Sequence, residues 1–221
     1  MGLMKKDHLR RILSIPSVAR AWHAKHGKAP SQADIENLFR DFIGMQTSVL
    51  KDYAKPIPGL LAVIEELRAR SIKIGSTTGY LRSMMDILAP EAGKNGYEPD
   101  CIVCPDEVPA GRPYPWMCYQ NAIQLGVHPM QAMVKVGDTT PDIEEGLNAG
   151  MWTVGLSLTG NMLGLDEEQV KILSATERKK ACEKIEAQLY EAGAHFVIEG
   201  IWDLLRVVDE IEARLAQGGR P

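Results

Sequence analysis

The chain has 221 residues, of which 45% are apolar and 24% charged, and its formal net charge is −4. That is an ordinary balance for a globular chain, long enough for one large domain or a core with a smaller accessory unit. The acidic balance and the short, interrupted basic clusters (Lys5-Lys6, Arg10-Arg11, Lys179-Lys180) exclude a nucleic-acid surface, and no apolar run approaches the ~20 residues of a membrane span.

In chain order, residues 5–26 read as helix with a break near Pro16, and the charged start has no apolar centre of the kind a secretory leader needs. Ser31-Gln32-Ala33-Asp34 has the form of a capping box opening a long helix through Tyr53. Its apolar positions Ile35, Leu38, Phe39, Phe42, Ile43 and Met45 recur at helical spacing and suit packing or a subunit contact. Pro56-Ile57-Pro58-Gly59 then punctuates the chain, and we place a boundary there, with a helical unit over 1–57 and a second unit over 58–221.

From Leu60 onward helices and strands alternate. Helices are expected at 60–70, 80–89, 115–125, 142–149, 176–192 and 201–215, and strands at 72–76, 101–104, 133–136, 152–155 and 195–198. This pattern predicts an α/β fold, a Rossmann-like parallel sheet with helices on both faces. Cys101 and Cys104 fall within a strand, where two small apolar residues are a better reading than a zinc pair; with no disulfide framework, a reducing cytoplasm is the expected compartment.

Ligands of such sheets bind at the carboxyl ends of the strands, which draws three segments together. Ile74-Gly75-Ser76-Thr77-Thr78-Gly79-Tyr80 ends a strand in hydroxyls and a glycine, suited to phosphate oxygens or, equally, to an ordinary turn. Ala110-Gly111-Arg112-Pro113 offers a guanidinium in a stretch stiffened by proline, either an anion holder or a surface arginine. Val136-Gly137-Asp138-Thr139-Thr140-Pro141-Asp142 delivers one carboxylate at a strand tip and another four residues on. Two acids this close call for a cation, with Mg²⁺ the candidate; otherwise Asp138 caps the turn and Asp142 complements a helix dipole.

The order of hydroxyl strand end, cation and paired acids on successive units resembles the haloacid dehalogenase superfamily of phosphohydrolases. Within it, Met1-Gly2-Leu3-Met4-Lys5-Lys6-Asp7-His8 and the runs 73–80, 108–118, 135–138 and 148–154 are similar to the phosphonoacetaldehyde hydrolase family, over nearly the whole chain. The resemblance implies that residues 1–57 are a cap domain over a Rossmann-like core, and that Lys5 forms a Schiff base with an aldehyde substrate. It further implies that His8 shuttles protons, that Thr78 and Gly79 hold the phosphoryl group, and that Arg112 is the active-site cation. Asp138 and Asp142 become the Mg²⁺ carboxylates, the substrate a small phosphonate, and the assembly a homodimer through the cap helices.

That resemblance also implies a nucleophilic aspartate at the end of a first core strand, and residues 1–4 do not supply one. The first core strand is thus expected to be missing from the chain as written, leaving two unpaired edges inside the sheet and a chain that is unstable or an incomplete record. A non-catalytic relative that binds or dimerises, and a phosphatase of another small substrate, are the alternatives to a C–P bond hydrolase.

Overall fold

The computed structural model describes residues 5–221; Met1–Met4, which begin the segment resembling the cap, lie outside the described residues. Helix α1 (Lys5–Ser14) stops two residues before Pro16, which occupies the first turn of α2 (Pro16–His26), where its missing N–H costs nothing. Gly27 closes α2 with φ +71°, a left-handed cap that glycine adopts without a steric penalty. Ser31 and Asp34 form the expected capping box and open α3 (Gln32–Val49), which continues as a 3₁₀ turn to Tyr53. α1 packs on both α2 and α3, and Lys6 lies over the Phe39 ring of α3 at 5.7 Å from its centroid and pairs with Glu36.

After the Pro56–Gly59 segment come α4 (Leu60–Ala69), β1 (Gly75–Thr77), α5 (Arg82–Lys94), β2 (Cys101–Val103), α6 (Trp116–Leu125), β3 (Val134–Gly137), α7 (Thr140–Ala149) and β4 (Trp152–Leu156). Two helices follow, α8 (Glu167–Ile172) and α9 (Ala175–Glu191), then β5 (Phe196–Ile198) and α10 (Leu204–Ala216). Sequence periodicity misses α8, whose start is nonetheless written in an Asp166–Gln169 capping box. β1 starts later than expected because the Ile74 N–H donates to the Asp100 side chain (2.7 Å) instead of to a backbone carbonyl, although the Ile74 carbonyl accepts from the Asp100 N–H at 2.8 Å. α5 likewise starts at Arg82 rather than Tyr80, since its first N–H is capped by the Asp106 carboxylate from 24 residues away.

All the strands are parallel, but they make two sheets, β1-β2 and β3-β4-β5. The break agrees with the expectation of a parallel sheet with two unpaired edges inside it. No backbone ladder joins β1 to β3 among the described residues; a side chain does, with Lys135 of β3 donating to the Thr77 hydroxyl of β1 at 2.6 Å.

The pleat of β4 sorts its fully buried residues between two helical layers. Trp152, Val154 and Leu156 pack with Val63 and Leu67 of α4 and with Leu204, Val207, Val208 and Ile211 of α10. Those four α10 side chains form a stripe at helical spacing, each contributing ~1.5–3 kcal/mol by burial. Thr153 and Gly155 face the other way, toward Gly146 of α7 and Leu189 of α9, so helices cover both faces. At Gly146 an added Cβ would come within 2.6 Å of Thr153 and 2.7 Å of the Lys135 Cβ, which is how α7 comes to rest directly on β3 and β4.

At the amino ends of β4 and β5, the Thr153 N–H donates to His195 Nδ1 at 3.1 Å, and the His195 N–H returns a bond to the Thr153 hydroxyl. Nδ1 must therefore be unprotonated, and burial, followed by the nearby Arg214 charge, lowers the imidazole pKa in the fold. A depressed histidine contributes stability that is complete above the unfolded value of about 6.5 and is lost as pH falls from there through the folded value. Urea midpoints measured between pH 8 and pH 5.5 are expected to drop further for the parent than for His195→Asn; equal drops would refute this role.

Candidate active site

Thr77 ends β1, Gly137 ends β3, and the loop bearing Arg112 reaches Thr77 and the residues of α7. Arg112 Nη2 donates to the Thr77 carbonyl at 2.9 Å and its hydroxyl at 3.0 Å, Nη1 meets Asp142 Oδ1 at 2.9 Å, and Nε meets Glu145 Oε2 at 3.0 Å. Lys135 Nζ lies 2.6 Å from Glu145 Oε2 and 3.4 Å from Asp142 Oδ1. All four charged side chains are nearly or fully buried, two cations facing two carboxylates. Burial on its own would raise the Asp142 carboxyl; the Lys135 and Arg112 charges and the Thr139 hydroxyl (2.5 Å to Oδ2) outweigh it and hold the pKa down.

The sequence singles out Arg112 and Asp142 but passes over Lys135, Glu145 and Thr77. A signal exists for two of them. Lys135 is the charge between Val134 and Val136 in an otherwise apolar strand, and Glu145 follows Asp142 by three, on the same helix face. Gly137 lets this happen, because a Cβ there would sit 2.2 Å from the Asp142 Cβ.

Lys5 and Lys6, adjacent in sequence, point to different places. Lys6 belongs to the α1–α3 contact, whereas Lys5 Nζ lies over the Tyr80 ring, 5.0 Å from its centroid, beside the turn that carries Thr78 and Gly79. Burial, then the Arg112 charge, lowers the Lys5 pKa. His8, one turn along α1, is also lowered, first by burial and then by surrounding positive charges including Lys5 and Arg11. The Thr78 hydroxyl accepts from the Tyr80 N–H at 3.1 Å, closing the turn after β1. Asp138 is held elsewhere: Oδ2 accepts from the Asn161 N–H at 2.7 Å and from its side-chain amide at 2.6 Å, and Asn161 is another residue the sequence reading missed.

The profile of the haloacid dehalogenase-like hydrolases matches residues 7–150. A phosphonoacetaldehyde hydrolase-like protein from Syntrophobacter fumaroxidans is 52% identical over 221 residues, all of this chain and 80% of its own length. A phosphonoacetaldehyde hydrolase from Bacillus cereus is 50% identical over 212 residues, 96% of this chain and 80% of its own. The chain belongs to the phosphonoacetaldehyde hydrolase family of haloacid dehalogenase-like hydrolases. The crystal structure of a phosphonoacetaldehyde hydrolase-like protein from Oleispira antarctica matches this family member with a TM-score of 0.97 at 40% identity, covering 100% of this chain and 80% of that one.

For a hydrolase of this family the expected magnesium carboxylates can be tested against their partners. Mg²⁺ takes six oxygens in near-octahedral geometry, one or two of them protein carboxylates. Asp138 has the right chemistry, a half-buried carboxylate with Oδ1 outside its bonds to Asn161. Asp142 does not fit that role in this arrangement, because Arg112, Lys135 and Thr139 engage both of its oxygens and already balance its charge. Among the described residues no three His, Cys, Asp or Glu side chains gather in a form that could hold a metal ion. In this structure the Asp142 carboxylate faces two protein cations, Arg112 and Lys135.

The Lys5 environment generates a direct test. The pH midpoint for reductive methylation of Lys5, followed by peptide mass mapping, is expected below the ordinary lysine value of about 10.4. A midpoint at or above that value would show that burial and Arg112 do not tune this amine.

Proposed function

We propose that this chain acts on the C–P bond of phosphonoacetaldehyde, yielding acetaldehyde and phosphate. The observation that carries the reading is Lys5, a half-buried amine of lowered pKa beside Tyr80 and within the influence of Arg112, in a chain whose relatives bear that activity in their names. The neutral amine attacks the aldehyde carbon and water leaves, forming an imine. When the C–P bond breaks, its electron pair moves into the protonated imine and produces an enamine, so no free carbanion forms. Protonation at carbon and addition of water then release acetaldehyde and the free amine of Lys5.

The phosphoryl group passes in net to water and leaves as phosphate; the resemblance gives the intermediate acceptor role to an aspartate that residues 1–4 do not supply. His8, on the Lys5 side of α1, moves protons during imine formation and hydrolysis. The turn with Thr78 and Gly79 receives the phosphoryl oxygens, and Arg112 supplies fixed positive charge beside them. Asp138 would hold Mg²⁺, which would supply positive charge to the phosphoryl oxygens. Residues 1–57 act as a cap hinged at Pro56–Gly59 over a core of 58–221. Met45, Val49 and Tyr53 project from α3 and the 3₁₀ turn after it, and Met45 and Tyr53 are 74% and 79% exposed, which supports a subunit contact between cap helices. Sedimentation of the parent and of Met45→Glu/Tyr53→Glu is expected to show dimer and monomer; an identical profile for the two would exclude that face.

Borohydride added with phosphonoacetaldehyde is expected to trap the substrate on Lys5, identified by mass spectrometry. Lys5→Arg is expected to abolish trapping and to lower acetaldehyde release by about the 10²–10⁴-fold or more typical of losing a reacting group. Release by Lys5→Arg at the parent rate would overturn the imine mechanism and favour a phosphatase of another substrate.

A further inference from the structure

Arg112 is held more tightly than an anion-binding arginine needs to be. A guanidinium carries five N–H donors. Four of them are engaged: Nε with Glu145, both on Nη2 with the Thr77 carbonyl and hydroxyl, and one on Nη1 with Asp142. One N–H on Nη1 is left without a partner among the described residues, too few for the two-pronged grip that arginine makes on a phosphate.

Glu145 is the centre of this arrangement. It is fully buried, and one oxygen, Oε2, receives Arg112 Nε, Lys135 Nζ and the Thr77 hydroxyl. Its other oxygen, Oε1, has no partner among the described residues. An orphaned buried carboxylate oxygen is costly, and apolar residues of equal volume commonly serve stability as well as a buried ion pair does. Stability alone is therefore a poor reason for this residue. Lys135 complements it from the neighbouring face, reaching Glu145 at 2.6 Å and Asp142 at 3.4 Å, so that two carboxylates can flank one guanidinium without their charges standing unbalanced.

We infer that Glu145 and Lys135 are positioning residues that lock the plane of the Arg112 guanidinium, so that Arg112 presents a fixed charge with a single free N–H at the carboxyl ends of β1 and β3. Neither residue touches substrate; both act through Arg112. The kinetic consequence rests on the phosphonoacetaldehyde reading above, whereas the order of the guanidinium does not.

The test uses the full ¹⁵N-labelled chain and its arginine side-chain NMR signals, with Arg112 assigned by their loss in Arg112→Lys. In the parent, Arg112 is expected to show a protected Nε–H and separate Nη protons, the signature of a guanidinium that cannot rotate. Glu145→Gln and Lys135→Met are expected to collapse those signals toward exchange-averaged ones, and Glu145→Asp to retain part of the splitting. With phosphonoacetaldehyde, Glu145→Gln is expected to lower kcat by about 100-fold, the scale of a displaced catalytic group, and to leave KM within about threefold. Averaged Arg112 signals in the parent, or unchanged ones in the variants, would overturn the inference. If Glu145→Gln loses its native spectrum, Lys135→Met and Glu145→Asp decide the matter by the same criterion. A parent that does not turn over phosphonoacetaldehyde removes the functional reading, while the NMR result still settles whether the clamp exists.

Discussion

One buried cluster joins the parts of this molecule that the backbone leaves separate. β1 and β3 share no ladder among the described residues, yet Thr77 of β1, Lys135 of β3, Glu145 and Asp142 of α7, and Arg112 from the intervening loop all meet within ion-pairing distance. Each charge answers another, which is the condition for keeping so many of them out of water. Because the partners come from four different segments, the cluster fixes the relative placement of the strand ends and, with them, of the loops that follow.

The cluster forms because of the pleat and a few small residues. In β3, alternation sends Val134 and Val136 to the α4/α10 layer and Lys135 and Gly137 toward α7. An amine is tolerated there because Glu145 and Asp142 line the helix that rests on it. Gly137 and Gly146 let that helix lie close enough for the pairs to form, since a side chain at either position would collide with Asp142 or with Thr153 and Lys135. Buried charge, helix spacing and glycine placement thus form one design constraint rather than three.

The same economy governs the two lysines at the start of α1. A helix turns by about 100° per residue, so Lys5 and Lys6 cannot share a face. Lys6 pairs with Glu36 and covers Phe39, an ordinary interhelical contact. Lys5 is left to the Tyr80 side, where burial and the pinned Arg112 charge favour its neutral form. The Arg112 charge held by the cluster thus also contributes, after burial, to the lowered pKa of the Lys5 amine.

Sequence alone determined the alternation of helices and strands, the helix break near Pro16, the Ser31–Asp34 capping box and the family to which the residues around Lys5, Thr78, Arg112 and Asp138 belong. These are local signals, carried by neighbours within a turn or a strand. It could not show that Asp106 caps α5 from 24 residues away, or that the Lys135 side chain reaches Thr77 across the gap between β3 and β1. Nor could it show that Asp142 spends its charge on Arg112 and Lys135, or that Glu145 is the fully buried anchor of that cation. Those outcomes depend on which distant groups meet once the helices pack, and a buried charge takes its role from its partners rather than from its place in the chain.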